Sequence, residues 1–593
     1  MRKKFKEVFG KTDDILREYP MVLLMAFLAA VAFICYYDHD SGKNSADFVF
    51  LKFGMVACLG ISLMFGLKML TQRIGKGIFL EISGTLFLIF FYLLLPEKEK
   101  DFTVVYAFLL LPTFILSHLL VSFIAFFGQK RELRFWQYNK NLFINIFLTT
   151  VFTGVLTGGV ELAILAVDKL FDFNFNDSYY SKTFYFLTIF GSTFIFLLFN
   201  EKGLRELEKD SDYPQILKFF TQYILIPLLL IYAVILYFYS AKILMNWELP
   251  RGWVSYLVLA YAVVGILGLL LVHPLKEDST RSWVRIFSKI FYFTLIPLIV
   301  LLFTAIFTRI LQYGYTEPRY FVLLLALWLT SVVLYFVFFK KTTIKFIPLS
   351  LFAFGLFALI FPYLNTFSTA KRSQQTELQN VLSENNLLEN GKINFNQKVS
   401  DTVADAVADK FKFLAERKQN EFLLNLLSKS DQQIVLKNSI KGEFWNVSRE
   451  VREHFTSVEK TKTLRGGNML ELVSDSQFHQ LEGYDFMIDL NGLWEEGKVL
   501  PGKERLEISA KQSIDNILVI TVNNETWNLS PFLKGTLKKY ENKKGKITVP
   551  EISAEKDMSG YHLKVVFDKL VLENVNGSGI YFTGSYLLIR KKE

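Results

Sequence analysis

Cysteine, histidine and proline are all scarce in this chain. Its 593 residues include two Cys, six His and 14 Pro. Both cysteines, Cys35 and Cys58, lie in long apolar runs, so the sequence predicts no cysteine metal cluster and no disulfide in its polar part. The histidines lack metal-ligand spacing, and no nucleophile elbow or dinucleotide fingerprint stands out. We therefore expect no cofactor and favour a non-enzymatic protein.

Charged residues are also few, at 21% of the chain, whereas 52% of the residues are apolar or aromatic. This composition excludes disordered and collagen-like classes. The net charge of +10 is uneven: residues 1–364 hold 34 basic and 25 acidic residues, and residues 365–593 hold 32 and 31. Because the basic excess belongs to the apolar part, we interpret it as membrane topology. The expected partner is the lipid bilayer, and nucleic acid is not expected.

Eleven apolar runs are long enough to cross a bilayer core of about 30 Å as helices. They are residues 19–37, 48–70, 78–95, 102–127, 142–167, 183–199, 216–239, 253–272, 290–308, 320–339 and 346–364. One alternate set of flanks carries 24 Lys or Arg, and the opposite set carries 10. This asymmetry predicts a multi-pass inner-membrane protein with a cytoplasmic N-terminus. An odd number of crossings then places the C-terminal domain outside the cytoplasm.

The rest of the chain shows two further patterns. Residues 365–460 form a predicted helical linker or subdomain, with apolar residues such as Val403, Val407 and Phe411 at helical spacing. Residues 461–593 alternate apolar and polar positions between turn signals, which predicts a β-rich extracytoplasmic domain. The predicted fold class is a polytopic α-helical membrane protein of about 11 transmembrane helices, over residues 1–364. Its C-terminal soluble α+β domain contains helices followed by an antiparallel, β-sandwich-like sheet.

Two ionisable residues, His118 and Glu161, lie deep within predicted spans, where charge is costly and often functional. Gly154 and Gly158 precede Glu161 at the spacing that lets two helices approach closely. One interpretation is a packing seam with a carboxylate beside it, and the other is a proton or cation relay. A weak repeat, centred on Pro227 and Pro297, modestly supports duplication.

Two polar elements near the ends of later spans resemble a known family. Residues 239–253 contain Tyr-x-x-Lys-Ile and then Leu-Pro-x-Gly-Trp, and residues 309–320 read Arg-Ile-x-x-Tyr-Gly-x-Thr-Glu-x-Arg-Tyr. With the stretch Asn-Leu-Leu-Glu-Asn-Gly-Lys-Ile at residues 386–393, they resemble the bacterial polytopic membrane proteins of domain-of-unknown-function family 4153. The resemblance implies an inner-membrane protein of unassigned biochemical function with a soluble C-terminal region. It supplies no catalytic residues.

In the predicted topology these two elements share the extracytoplasmic face. They bring together a candidate binding set at the interface, namely Lys242, Glu248, Arg251, Trp253, Arg309, Tyr313, Glu317, Arg319 and Tyr320. Arg presents a planar fork that suits phosphate or carboxylate, so the ligand would be an anionic lipid or an envelope precursor. The alternative is structural, with Arg–Glu pairs, turns and an aromatic belt.

Three functions stay open. The leading hypothesis is a cell-envelope membrane protein that anchors an extracytoplasmic binding or signalling domain. A secondary transporter or exporter of a small or lipid-linked solute would need a cavity that reaches His118 and Glu161, whereas an anchor needs only a solid bundle. A polytopic lipid-linked glycosyltransferase would need a lipid-facing groove beside Asp38 and Asp40, which are also a weak candidate metal site.

Overall fold

The computed structural model describes most of the chain and divides it into two compact units. The described residues are 11–39, 47–128, 131–173, 175–209, 213, 215–246, 253–276, 282–455, 458–459, 469–475, 481–490, 498–500, 506–512, 518–523, 525–540, 545–573 and 579–592. The units are Met1–Glu459 and Lys460–Glu593.

Long apolar helices dominate the first unit. They are α1 (Pro20–His39), α2 (Asp47–Ile74), α3 (Gly77–Leu94), α4 (Val104–Phe123), α5 (Glu132–Phe171), α6 (Asp177–Phe186), α7 (Ser192–Phe199), a short α8 (Leu204–Leu207), α9 (Gln215–Phe219), α10 (Ile226–Asn246), α11 (Trp253–Val272), α12 (Ser282–Tyr313), α13 (Glu317–Phe338) and α14 (Phe346–Ile360). In the described residues, ten helical segments are long and apolar enough to cross a membrane, and Phe346–Ile360 is a shorter apolar helix. The predicted polytopic membrane protein with about 11 spans is confirmed.

Several helices depart from their predicted bounds for local reasons. Helix α5 has 40 residues, so at 1.5 Å per residue it is about 60 Å long, twice the thickness of a bilayer core. Its polar ends continue the helix beyond the apolar run. Helix α14 stops at Ile360 because Phe361 has extended backbone, as expected for a residue that precedes proline.

Two membrane segments contain a π-helical turn. Leu187–Gly191 joins α6 to α7, and Phe220–Leu225 joins α9 to α10. Such turns interrupt the regular hydrogen-bond ladder and are frequent at functional sites. Pro227 follows the second π-helical turn directly, whereas Pro297 lies inside α12. The two segments of the predicted repeat therefore differ in local structure.

Hydrogen bonds and ion pairs group the loops at two ends of the bundle. At one end, Tyr19 donates to the Asn200 carbonyl at 2.7 Å, and Arg73 pairs with Glu208. Trp136, at the start of α5, donates to the Leu270 carbonyl at 2.7 Å. In each contact the two partners are separated along the chain by an even number of membrane segments. Loops on the same side of a membrane must be separated in this way, so the three contacts are consistent with one another.

The other end of the bundle holds the loops that follow an odd number of membrane segments. The contacts there are Asp38 with Lys182 at 2.7 Å, Lys418 with Asp101 at 3.9 Å, and the Tyr315 amide with Ser373 Oγ at 2.8 Å. Helix α14 runs back along α13 to this end, since Trp328 donates to Ser350 at 3.0 Å and Tyr320 donates to the Leu364 carbonyl. Residues 346–364 therefore run back along α13 to the end at which α13 begins.

A polar helical region completes the first unit at this second end. It contains α15 (Thr366–Glu384), α16 (Asp401–Glu416), α17 (Asn420–Leu426), α18 (Gln432–Lys441) and α19 (Phe444–His454), with the short strands β1 (Leu388–Glu389), β2 (Lys392–Ile393), β3 (Val399–Ser400) and β4 (Val458–Glu459). Apolar residues at helical spacing, including Leu378, Val407, Phe411 and Val447, form its core. Helices α16 and α17 are separate because Lys418 adopts a left-handed conformation (φ 57°) between them.

The second unit contains two sheets and a helix around one core. Its elements are β5 (Met469–Ser474), β6 (Phe486–Asp489), β7 (Lys498–Leu500), β8 (Leu506–Gln512), β9 (Leu518–Val522), β10 (Glu525–Asn528), α20 (Ser530–Lys538), β11 (Gly545–Val549), β12 (Ile552–Met558), β13 (Tyr561–Glu573) and β14 (Gly579–Lys591). One sheet has the order β10-β9-β8-β7, and the other has the order β11-β5-β13-β14-β6, with β12 also paired to β13. Ile520, Leu533 and Phe567 contribute to the shared core from both sheets and α20. The sandwich-like arrangement agrees with the prediction, but β5 and β11 pair in parallel.

Candidate functional site

A cavity of about 930 Å³ lies within the membrane bundle. Its walls come from α1, α2, α4, α5, α6 and α7. His118 of α4 and Glu161 of α5, the two ionisable residues singled out in the spans, both line it. The remaining wall is mostly apolar, with Val22, Ile61 and Phe65 among its residues. Its size matches cavities that hold small organic ligands, which are typically about 300–1,000 Å³.

Helix α5 contributes a row of threonines to the cavity. Thr149, Thr153 and Thr157 are four residues apart, so they lie on one face of the helix, and Glu161 continues the row by another turn. The three threonines are only 6–7% exposed. Their hydroxyl oxygens, and Oε1 of Glu161, have no hydrogen-bond partner in the described part of the chain. We call these four residues the α5 ladder.

Threonines elsewhere in the membrane helices bond to their own backbone. Thr150 donates to the Ile146 carbonyl at 3.0 Å, and Thr304 donates to the Val300 carbonyl at 3.0 Å. This back-bonding is the usual way for a helix to satisfy a hydroxyl in an apolar surrounding. An unsatisfied buried hydroxyl costs about 1–3 kcal/mol. The side-chain oxygens of the α5 ladder therefore remain able to form hydrogen bonds with groups outside their own helix.

The facing wall, on α6 and α7, differs in this respect. Thr188 donates to the Phe184 carbonyl at 2.6 Å, and Thr193 donates to the Ile189 carbonyl at 2.8 Å. Both residues line the cavity, Thr188 from within the π-helical turn Leu187–Gly191 and Thr193 from α7. Hydrogen-bonding groups that are open to a ligand are therefore concentrated on the α5 side.

His118 has a defined tautomer when it is neutral. Its Nδ1 lies 2.8 Å from the Phe114 carbonyl oxygen, which can only accept a hydrogen bond. Nδ1 must therefore carry the proton, and Nε2 is left as the acceptor of the neutral ring. The imidazole can accept a hydrogen bond or a proton at Nε2 without giving up its contact with α4.

The glycines before Glu161 form no packing seam with the described helices of this chain. Gly154 and Gly158 line the cavity, and a Cβ added to either glycine would meet no described atom within 4 Å. No second helix among the described residues approaches them, so the described helices of this chain do not form the seam, and the seam stays a prediction. Their lack of side chains instead leaves space beside the α5 ladder.

The predicted interfacial set is split by the structure. Glu317 is fully buried and forms a bidentate pair with Arg417, which directly follows α16, with both N–O distances at 2.7 Å. Arg319 donates to the carbonyls of Tyr313 and Gly314 at 3.1 and 2.7 Å. These contacts close the turn between α12 and α13 and attach the polar helices to it.

The other members of that set have different surroundings. Tyr320 donates to the Leu364 carbonyl, and the Arg309 guanidinium lies 5.9 Å from the centre of the Tyr313 ring. Lys242 is exposed. Glu248, Arg251 and the side chain of Trp253 lie outside the described residues, so whether the whole set converges stays a prediction.

The described residues add no further ligand to the weak candidate metal site at Asp38 and Asp40. Asp38 pairs with Lys182 at 2.7 Å, and Asp40 lies outside the described part of the chain. Across the ranges that the structure describes, no cluster of three or more His, Cys, Asp or Glu side chains is placed to hold a metal ion.

Sequence reasoning missed the threonines of the α5 ladder. The signal was present, because Thr-x-x-x-Thr-x-x-x-Thr-x-x-x-Glu places four polar groups on one face of an apolar helix. Its meaning was hidden because threonine in a membrane helix usually bonds to its own backbone. Only the packing of α5 against its neighbours shows that this face borders a cavity.

Comparison with known proteins defines the family. The profile of the family described as "Domain of unknown function (DUF4153)" matches residues 23–403, which include the cavity, the turn between α12 and α13, and α15. The chain belongs to this family. It is also 25% identical, over 409 residues, to an uncharacterised protein of Pasteurella multocida strain Pm70. That match covers 67% of this chain and 64% of the relative, so the chain spans slightly less than two thirds of the relative's length. No solved structure matches the chain.

Proposed function

We propose that this DUF4153 protein is a secondary transporter that binds a small organic solute in the cavity of its membrane bundle. The observation that supports the proposal most is the α5 ladder, in which four polar side chains on successive turns face one cavity with buried oxygens that have no hydrogen-bond partner among the described residues. A helix that only packs against lipid or protein gains nothing from such groups, because each unsatisfied hydroxyl destabilises it. A bound solute, or water that exchanges with it, would supply their partners.

The lining favours a particular class of solute. Hydrogen-bonding groups lie along α5, while Val22, Ile61 and Phe65 provide apolar surface elsewhere. The matching ligand has polar groups along one edge and an apolar body. Glu161 at one end of the ladder favours a cationic group on the solute or a co-transported proton, and Nε2 of His118 is a second proton acceptor.

The orientation of the protein completes the proposal. We infer an inner-membrane location with a cytoplasmic N-terminus, because the basic residues favour that side. Nine membrane segments precede Tyr313 in the described chain, and Gln374 of α15 donates to the Tyr313 carbonyl at 2.8 Å. This contact supports placing the polar helices α15–α19 at the end of the bundle away from the N-terminus, outside the cytoplasm.

A second function, anchoring an extracytoplasmic domain, is favoured by a different observation. The buried Glu317–Arg417 pair attaches α16 to the start of α13. A charged pair with 0% and 8% exposed side chains holds its partners in one geometry. A fixed polar region suits a protein that presents a binding or signalling domain, and it is compatible with transport by the bundle.

Mass spectrometry of the molecules that co-purify with the full chain tests the proposed transporter. Thr153→Val keeps the shape of the side chain and removes one hydroxyl of the α5 ladder, and Glu161→Gln removes the charge. Thr304→Val is the matched control, because its hydroxyl bonds to its own helix on α12 and lies outside the cavity lining.

We expect one small organic species to be enriched with the wild type and with Thr304→Val. Loss of a neutral hydrogen bond should lower its retention about 3- to 10-fold in Thr153→Val, and loss of a charged one about 10- to 100-fold in Glu161→Gln. Counterflow of that species in proteoliposomes then tests transport. Enrichment of bilayer lipids alone, unchanged in both variants, would contradict the proposal.

A further inference from the structure

A second, smaller hollow lies where three membrane helices end. It has a volume of about 310 Å³ and is lined by Ser255 and Tyr256 of α11, Ile306 and Arg309 of α12, and Arg319 of α13, among others. It lies at the same end of the bundle as the turn between α12 and α13. It shares no lining residue with the cavity of the α5 ladder.

Two guanidinium groups converge on this hollow. The Arg309 and Arg319 side chains lie 5.9 and 5.4 Å from the centre of the same Tyr313 ring. The two guanidinium carbons are therefore no more than about 11 Å apart, and like charges at that range repel one another where water is partly excluded. The arrangement is therefore costly unless a negative group offsets it.

The described residues do not supply that group at contact distance. No described carboxylate lies within 4 Å of either guanidinium, although Glu377 of α15 interacts with Arg319 at longer range. Arg319 uses Nη1 to donate to the Tyr313 and Gly314 carbonyls. Its other nitrogens, and the whole Arg309 fork, make no hydrogen bond to a described residue. The pair retains donors in the geometry that suits phosphate.

The surroundings of the hollow indicate where the anion comes from. Tyr256, which lines the hollow, is 57% exposed, and the apolar side chains of Ile306 and Val322 also line it. Exposed apolar residues near the end of a membrane helix face acyl chains, and the arginines then lie at the depth of the headgroups. The phosphate of a lipid headgroup would contact the arginines, while the acyl chains of the same lipid would contact the apolar side chains.

We propose that the hollow formed by Arg309, Arg319, Ser255 and Tyr256 binds the headgroup phosphate of an anionic phospholipid. The lipid would neutralise the arginine pair and lie against α11, α12 and α13. This site is independent of the solute cavity, so either proposal can fail without the other.

Native mass spectrometry of the delipidated full chain tests the site. The probes are phosphatidylglycerol, phosphatidylcholine and inorganic phosphate, each titrated against the wild type, Arg309→Gln and Arg309→Lys. Lys169→Gln is the matched control, since it removes an exposed positive charge at the last turn of α5, outside the lining of the hollow.

We expect phosphatidylglycerol to bind more tightly than phosphatidylcholine and to resist displacement by inorganic phosphate. A charged hydrogen bond is worth about 1.5–3 kcal/mol, so Arg309→Gln should weaken phosphatidylglycerol binding about 10- to 100-fold. Arg309→Lys should give an intermediate loss, and Lys169→Gln less than a 2-fold loss.

Three results would overturn the proposal. Equal weakening by Arg309→Gln and Lys169→Gln would show only a general charge effect. Displacement of the lipid by inorganic phosphate would identify a site for a free anion. If Arg309→Gln does not fold, unchanged phosphatidylglycerol binding by the charge-conserving Arg309→Lys would show that the arginine fork is not used.

Discussion

The buried pair between Glu317 and Arg417 should control how firmly the polar helices are held on the membrane bundle. The pair is bidentate, and its side chains are 0% and 8% exposed. Arg417 also donates to the Phe413 carbonyl at 2.9 Å and lies over the Phe413 ring. Removal of one partner leaves the other charge buried without its counter-ion, which costs about 3–5 kcal/mol.

The expected effect of Arg417→Met follows from this cost. If α15 and α16 open together from the bundle, a loss of about 3–5 kcal/mol raises their amide exchange rate about 10²- to 10³-fold or more. Glu317→Gln should act in the same direction with a smaller effect, because the amide still accepts one hydrogen bond. The double variant Glu317→Leu with Arg417→Met removes both charges and should exchange more slowly than Arg417→Met alone.

Hydrogen exchange of the full chain in detergent, read by mass spectrometry over residues 366–416, measures the effect. Glu416→Gln is the control, because this carboxylate lies 3.3 Å from Arg417 but is 17% exposed. Its removal leaves Arg417 with its bidentate partner Glu317, so we expect Glu416→Gln to have a smaller effect than Arg417→Met. The reasoning is refuted if Arg417→Met changes exchange no more than Glu416→Gln does, or if the double variant is as labile as Arg417→Met.

Three further predictions concern single positions. Gly314→Ala should destabilise the contact with α15, because φ is +71° and an added Cβ would lie 2.7–2.9 Å from that helix; unchanged exchange of α15 would contradict this. Burial lowers the pKa of Lys410, because the charged ammonium is less stable in the folded protein than in water. This cost to stability is present in full at pH values below the lowered pKa. Lys410→Met should therefore slow exchange of α16 at pH 7, and this gain should shrink as the pH rises towards the ordinary lysine pKa of about 10.4; a gain independent of pH would count against the reasoning. Hydrogen bonds from Lys592 and His562 lower the pKa of Asp557, so its contribution is present above about pH 3.9 and is lost as the pH falls through the lowered value. Asp557→Asn should reduce the acid sensitivity of β12 and β13 in exchange measurements corrected for intrinsic rates, and an unchanged acid transition would refute this.

The membrane helices were predictable because the signal is local. A run of about 20 apolar residues is sufficient to identify a span, whatever it packs against. The helices around Phe411 and Val447 were predictable for the same reason, since their apolar spacing lies within one segment. Their ends were less accurate, as shown by the break at Lys418, which depends on one left-handed residue.

The contacts that define the candidate sites are not local. Glu317 and Arg417 are 100 residues apart, and no pattern near either residue indicates the other. The spacing of Thr149, Thr153 and Thr157 is visible in the sequence, but the face of α5 that borders the cavity depends on how α1, α2, α4 and α7 pack around it. The parallel pairing of β5 with β11 likewise depends on tertiary structure. The alternation of apolar and polar residues along a strand does not specify its partner or their relative direction.

The central claim is that the cavity beside the α5 ladder is a hydrated chamber that receives a solute. Its most direct test is modification of a cysteine at Thr157 by a water-soluble, charged methanethiosulfonate, in protein whose Cys35 and Cys58 are replaced by alanine. Val155→Cys is the control, because this side chain is 71% exposed on α5 and lies outside the cavity lining. We predict rapid modification of Thr157→Cys in native membranes and little modification of Val155→Cys. Equal resistance of both cysteines would mean that acyl chains fill the cavity, and it would contradict the proposed transport function.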